Sequence, residues 1–279
     1  VDTLSVIDLN SIMHIYYNNR HLPDFSWTVD GEVIRTKAMF GAFKLLTLDG
    51  KKVFCGDRRS TKRKNINPDY KSNRSVAPKD FYEQFKRVEE ALIESGINYF
   101  AEEGYECDDL IASIVNKYKN SYNINIYSND RDFAVLVGPS VQYKSLVSRF
   151  PDITMYNYED VLCNSYKVYI PYNTLTLYKA IVGDVSDNIK GILGLGKGYF
   201  EKLIDRMKQD KVIFSEVYGN EESIIKKYLP EELQEEALNS LRLARFFHVD
   251  LEIKDTENKN KLIECLNKYG MKSIISKLQ

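Results

Sequence analysis

Three β-rich runs in this chain each end on an acid: Leu4 to Leu9 carries Asp8, Val53 to Gly56 stops at Asp57, and Ile124 to Ser128 runs into Asp130. Helical periodicity fills the space between them. Thr36 to Leu48 brings Met39, Phe40, Phe43, Leu46 and Thr47 to one side, and Phe81 to Ile93 does the same with Phe81, Phe85, Val88 and Leu92. Strands alternating with helices form a mostly parallel sheet, whose ligand crevice lies at the carboxyl ends of its strands. The expected fold is therefore α/β, a central, mostly parallel sheet flanked by helices, with three strands delivering carboxylates to one crevice. A small hairpin is expected over Phe25 to Arg35, turning at Asp30 and Gly31.

Six more acids stand at helix starts and in a tight turn. Glu106, Asp108 and Asp109 open a helix marked by Leu110, Ile111, Ile114 and Val115. Acids there favour the helix dipole by about 0.3–1 kcal/mol each, so alone they require no ligand. Asp132 follows Asp130 in Ser128-Asn129-Asp130-Arg131-Asp132-Phe133, where a helix cap accounts for one acid but not both. Asp184 and Asp187 precede a glycine-rich turn. Carboxylates converging on one pocket repel and take up protons unless cations neutralise them, and oxygen donors without histidine or thiolate favour magnesium or manganese over zinc. The chemistry this points to is phosphoryl transfer to water, assisted by divalent ions.

The rest of the composition narrows the field. Only His14, His21 and His248 exist, which weakens any histidine-based scheme. Cys55, Cys107, Cys163 and Cys265 are scattered without paired metal spacing, as expected of reduced thiols in a cytoplasmic protein. No run approaches the roughly 18 apolar residues of a membrane span. The net charge of −1 conceals a basic segment, since Lys51 to Arg87 holds twelve Lys or Arg against four acids. Charge runs are commonly solvated faces. Here Arg58, Arg59, Lys62, Arg63 and Lys64 follow directly on Asp57, so they would border the acids and could hold the phosphates of a polyanion. From Gly183 to Gly198, Gly191, Gly194, Gly196 and Gly198 recur between two helical patterns, with Lys190, Lys197 and Lys202 nearby. Glycine turns of this kind approach a DNA backbone closely and bind phosphates without reading sequence.

In order along the chain, Val6-Ile7-Asp8-Leu9-Asn10, Tyr70-Lys71-Ser72-Asn73-Arg74, Gly104-Tyr105-Glu106-Cys107-Asp108-Asp109, Ser128 to Asp132 and Gly183 to Gly191 resemble the successive motifs of the 5′ nuclease superfamily. Gly31-Glu32, Phe40-Gly41 and Pro78-Lys79-Asp80-Phe81 extend the resemblance, which covers roughly Leu4 to Asp250. It is similar both to the 5′ nuclease domain of bacterial DNA polymerase I and to bacteriophage flap endonucleases.

The resemblance implies a PIN-like fold with two divalent ions, magnesium or manganese. Asp8, Asp57, Glu106 and Asp108 would hold the first and Asp132, Asp184 and Asp187 the second, with Asp109 and Asp130 between or behind them. It further implies that Lys71 and Arg74 face the scissile phosphate from the base of a helical arch over about residues 60–100, that Tyr70 stacks on a terminal base, and that the helix from Phe81 forms part of the arch. A helix-two-turn-helix over about 174–208 would grip the duplex through Lys190, Gly191, Gly194, Gly196, Lys197, Gly198 and Lys202, with a potassium ion at the turn. An α/β catalytic domain is expected over 1–165 and a helical region over 166–279. Since no polymerase follows Gln279, a free-standing nuclease or an isolated nuclease domain is expected, monomeric, acting on branched or 5′-flap DNA that can carry an RNA primer, with a DNA polymerase as a possible partner. Two other classes stay open: a metal-dependent phosphohydrolase acting on a small molecule, and a DNA-binding relative that has lost its chemistry.

Overall fold

A computed structural model describes residues 2–279. Strand β1 (Thr3–Asp8) leads into helix α1 (Leu9–Asn18), then the hairpin β2 (Ser26–Val29) and β3 (Glu32–Arg35), then α2 (Lys37–Lys44). The hairpin turns where expected, because Asp30 and Gly31 both take positive φ, 51° and 83°. Next come β4 (Lys51–Cys55), α3 (Thr61–Ile66), α4 (Lys79–Glu94), β5 (Asn98–Phe100), α5 (Cys107–Tyr118), β6 (Asn123–Ser128) and β7 (Val141–Ser145). The helices α6 (Tyr158–Tyr166), α7 (Leu175–Val182), α8 (Lys197–Gln209), α9 (Glu221–Tyr228), α10 (Glu231–Ala244), α11 (Lys259–Lys268) and α12 (Lys272–Leu278) complete the chain.

Five strands form a parallel sheet in the order β5-β4-β1-β6-β7. The chain steps outward from β1 to β4 and β5, then returns through α5 to β6 on the other side of β1. The strand order therefore reverses beside β1, and the crevice that such a reversal opens lies at the strand ends carrying Asp8, Asp57 and Asp130. The pleat divides the core. Leu4, Val6, Val53, Cys55, Ile124 and Ile126 face one apolar layer, shared with α5 to α10, whereas Ile7 and Phe54 face a second layer with α1, α2 and α4.

The helices between 60 and 100 lie against the body: α4 buries Phe81, Phe85, Val88, Ala91 and Leu92 in the second layer, and α3 packs on α10. The helix from Phe81 thus packs one face into the core along its length. One expectation changes here: the region 166–279 does not stay together. Leu251 to Asn258 runs back past the edge of the sheet, where Lys254 N donates to Asn98 Oδ1 at 2.8 Å and Asn258 N to Ser95 O at 2.8 Å. Helices α11 and α12 then join α2 and α4, with Leu262, Leu266 and Ile274 buried and the Tyr269 ring stacked on Phe43. Short amphipathic helices advertise an apolar face but not the layer that receives it. No helix among the described residues is long and apolar enough to cross a membrane.

This return path rests on Gly96, at φ +66°, where an added Cβ would stand 1.9 Å from the Thr256 carbonyl oxygen. Gly96→Ala should therefore cost about 1–3 kcal/mol, as overpacking against backbone does. A urea unfolding midpoint equal to wild type would show that the C-terminal segment shifts aside freely.

Candidate metal centre

Asp8 closes β1 and caps α1. Its carboxylate accepts Ser11 N at 2.9 Å, Ser11 Oγ at 2.6 Å and Ser128 Oγ at 2.6 Å, which fixes it at the cleft floor. Asp57 follows β4, and its Oδ1 accepts Cys107 N, the first residue of α5, at 2.8 Å. Glu106 and Asp108 come from that same helix start. Glu106 does not stand free, because Lys71 Nζ donates to both its oxygens at 2.9 Å and Tyr70 Oη lies at 3.1 Å. Lys71 itself takes φ +53° and donates its backbone N–H to Asp187 O at 3.2 Å, so the lysine is held by strained backbone as well as by its ammonium.

A second group forms across the cleft. Asp130 caps a 3₁₀ turn by accepting Asp132 N at 2.9 Å, which leaves Asp132 to point inward. Asp184 is shaped by backbone pairing with Ile189 in both directions, at 2.7 and 2.8 Å, and accepts Ser186 N and Oγ. Asp187 meets Arg74 at 2.5 Å and Lys71 at 3.7 Å. Ligand atoms of Asp132, Asp184 and Asp187 lie within 4.8 Å of one another, as do those of Asp8, Cys107 and Asp108. Two cavities of about 380 and 450 Å³ open over the two groups and share Asn129 and Asp130.

Lys179, buried on α7, is not among the residues that the sequence motifs mark. Its ammonium bonds Asp132 and reaches Asp184 at 2.5 Å, inside the second acidic group. A lysine in the otherwise apolar Leu175-Thr176-Leu177-Tyr178-Lys179-Ala180-Ile181-Val182 was the available signal. Ser11 and Ser128, which orient Asp8, were likewise not singled out.

Several expected residues do other work. Asp109 is fully buried, with both oxygens on Arg63 at 2.7 Å and two backbone N–H groups besides, Glu106 and Phe247, so it faces away from the cleft and turns no oxygen to a metal. Arg63, expected on the DNA rim, is its buried partner, and also donates to Leu243 O and Arg245 O. Tyr70 is 2% exposed and hydrogen-bonded to Glu106 and Asp187, which leaves no open face for a terminal base. Gly191 is buried too; a Cβ there would meet Gly183 N at 2.5 Å, so this glycine serves the close crossing of two turns. Gly194, Gly196 and Gly198 are exposed with open space around them, and Lys190 and Lys202 are exposed nearby. Lys197 donates to Tyr166 O at 2.6 Å. On the rim, Arg58 meets Glu89 at 2.5 Å, Lys62 lies over the Tyr105 ring, and Arg59 and Lys64 are exposed.

The donor set suits a hard divalent ion. Carboxylate oxygens dominate, and the one sulfur, Cys107 Sγ, is a buried thiol whose pKa is pushed well up by burial and which donates to Cys55 O at 3.1 Å. Lys71, Arg74 and Lys179 are bonded into a set of eight acids and leave it short of positive charge. Burial first, then neighbouring carboxylates, raises Asp57 to about 6 and Asp132 to about 7, and lifts Asp108 well above the usual range.

A parallel sheet that gathers two groups of carboxylates at a strand-order reversal, beside a helix–turn–helix with open glycines, defines a metal-dependent enzyme acting on a phosphate polymer. Residues 3–165 match the family described as 5′-3′ exonuclease, N-terminal resolvase-like domain, and the chain belongs to that family of 5′ nucleases. It is 35% identical over 229 residues to DNA polymerase I of Caldicellulosiruptor bescii, covering 77% of this chain but 26% of the polymerase. It is 30% identical over 228 residues to the 5′-3′ exonuclease of Mycoplasma pneumoniae, covering 78% of this chain and 76% of that protein. Among solved structures, bacteriophage T5 D15 flap endonuclease, in a complex with DNA and metal ions, superposes with a TM-score of 0.65 at 18% identity over 99% of this chain and 96% of that one. The catalytic core of Rad2 with DNA substrate superposes at 0.51 and 13% identity over 100% of this chain and 93% of that one. Both superpositions bear out the PIN-like fold.

Two outcomes follow from the electrostatics. Acids whose folded pKa is raised favour the protonated native state, so the metal-free protein should lose stability as pH climbs from about 4 to about 7 and level off above. Thermal melts should show this slope, shallower in Asp132→Asn and flattened by magnesium; a slope unaltered by either change would dissociate it from these acids. Lys179→Met should lower the metal-free melting temperature and tighten manganese binding to the second group at least about tenfold, since a competing cation is gone. Equal affinity in a calorimetric titration would mean that Lys179 does not compete for those carboxylates.

Proposed function

We propose that this chain is a structure-specific 5′ nuclease that hydrolyses phosphodiesters where a 5′ single strand meets duplex DNA, in replication and repair. The observation that carries this reading is the pairing of two carboxylate groups, joined through Asp130, with Lys71 and Arg74 on the same cleft wall. Asp8, Asp57, Glu106 and Asp108 would hold one divalent ion, Asp132, Asp184 and Asp187 the other. When bound, such ions stabilise charge at the phosphoryl group and acidify the attacking water.

The protein's own residues do the rest. Glu106 and Asp187 hold Lys71 and Arg74 at the cleft, where their N–H donors can shift to the phosphoryl oxygens as charge develops. Ser11 and Ser128 keep Asp8 from rotating. Beyond the cleft, the exposed glycines 194, 196 and 198 and the first turn of α8 present backbone N–H groups to a duplex phosphate backbone, contacts that position without reading sequence. Specificity then comes from the junction's shape. The same reading includes magnesium or manganese at the acids, a potassium ion at the glycine turn, RNA- or DNA-primed 5′ ends as substrate, a monomer as the working unit in the cytoplasm, and a DNA polymerase as partner.

End-labelled flap, nicked and single-stranded DNA, incubated with magnesium beside a phosphomonoester, tests this directly. Flap cleavage near the junction is expected, and turnover of the phosphomonoester alone would favour a small-molecule phosphohydrolase. Asp130→Asn and Asp184→Asn should abolish cleavage with flap binding within a few fold. Lys71→Ala should slow the single-turnover rate at least about a hundredfold, the size of effect seen when a preorganised charge is lost. A loss confined to affinity would recast Lys71 as a plain phosphate contact.

A further inference from the structure

Five cations line the two cavities, and they fall into two kinds. Lys71, Arg74 and Lys179 are each bonded to carboxylates. Arg131 and Arg149 form no ion pair among the described residues, although Asp130, Asp132 and Asp184 line the same 450 Å³ cavity. Both instead lie over the half-buried Phe150 ring, their guanidinium carbons 4.3 and 4.9 Å from its centroid. Contact through the π face orients a guanidinium without using its N–H groups, so two forks of donors remain unspent around one ring. Two positive charges gathered at one ring repel, and an anion near both relieves that cost. Lys71 and Arg74 line only the cavity over the first acids, whereas Arg131 and Arg149 line only the cavity over the second, and the two cavities meet at Asn129 and Asp130.

We propose that Arg131 and Arg149, positioned by Phe150, bind a backbone phosphate of the cleaved strand in the cavity over the second acids, which Lys71 and Arg74 do not line. This rests on the nuclease reading above. Guanidiniums present their N–H donors in a fork that matches two phosphate oxygens, and the acids alongside repel any phosphate that strays from that fork. Phe150 is a positioning residue: it holds the two side chains in register and away from the carboxylates that would otherwise neutralise them.

Equilibrium binding of flap DNA in EDTA over a salt series, with single-turnover cleavage in magnesium, decides the matter. Arg131→Ala and Arg149→Ala should each weaken binding about 5- to 30-fold and reduce the slope of log affinity against log salt by about one, with the loss falling on affinity more than on the saturated rate. Phe150→Leu, which keeps both charges, should weaken binding less and leave the slope near wild type. Arg149 is exposed and contributes little to the core, so its variant decides even if Arg131→Ala folds poorly. Wild-type affinity and slope in a folded Arg149→Ala would overturn the proposal. If instead the wild type fails to cleave any of the DNAs, the nuclease reading itself fails.

Discussion

Mutual repulsion among carboxylates at the carboxyl ends of β1, β4 and β6 governs how this molecule is built. Seven acids cannot share two adjoining cavities, with Glu106 behind them, unless something offsets their charge, and the fold answers with cations anchored elsewhere in the chain. Lys71 comes from the segment after α3, Arg74 from the same segment, and Lys179 from α7. Each ties a distant stretch of backbone to the sheet edge. The segment 69–74 is stitched to the loop 184–189 by Asn188 to Asp69 O, Asn73 to Val185 O and Lys71 N to Asp187 O, so the two halves of the site are one hydrogen-bonded unit. What neutralises the acids in the metal-free state also assembles the walls of the cleft.

Behind that wall, Arg63 and Asp109 form a buried, bidentate ion pair that reaches across to Leu243, Arg245 and Phe247. Such a pair has little net stability to offer over apolar packing, but breaking it strands a buried charge. Its placement suggests a reason for keeping it: it locks the start of α5, and hence Glu106 and Asp108, to the end of α10. Two residues expected to meet metal and DNA are thus the bracket that aims those that do face the cleft. The closing of the second layer by α11 and α12 is a simpler matter of covering apolar surface left by α2 and α4.

Much of this was legible in the residues. Alternating runs with acids at their ends announced the parallel sheet, the Asp30-Gly31 pair announced the hairpin, and the glycines before Lys197 announced the turn between α7 and α8. Those features are local, since each follows from the period of apolar residues or the φ a turn demands. The convergence of Asp8, Asp57, Asp108, Asp130, Asp132, Asp184 and Asp187 was legible too, because strand ends of a parallel sheet share one edge.

Which charges would find one another was not local. Asp108 and Asp109 are neighbours in sequence, yet successive helix positions point about a quarter turn apart, so one faces the cleft and the other the core. Tyr70 and Arg63 look like rim residues in a basic segment, but the packing of α3 on α10 turns Arg63 inward and Tyr70 is buried against Ile189 and Leu243. Lys179 sits in an apolar helix where only the approach of Asp132 and Asp184 from outside that helix explains it. The sequence by itself determined the sheet, the turns and the edge at which the acids gather, because strand and helix periods and glycine φ are properties of a few consecutive residues. Only the tertiary structure decided which acids are neutralised by lysine or arginine and which remain open to a metal, because ion pairing depends on distances between elements that the chain brings together from far apart.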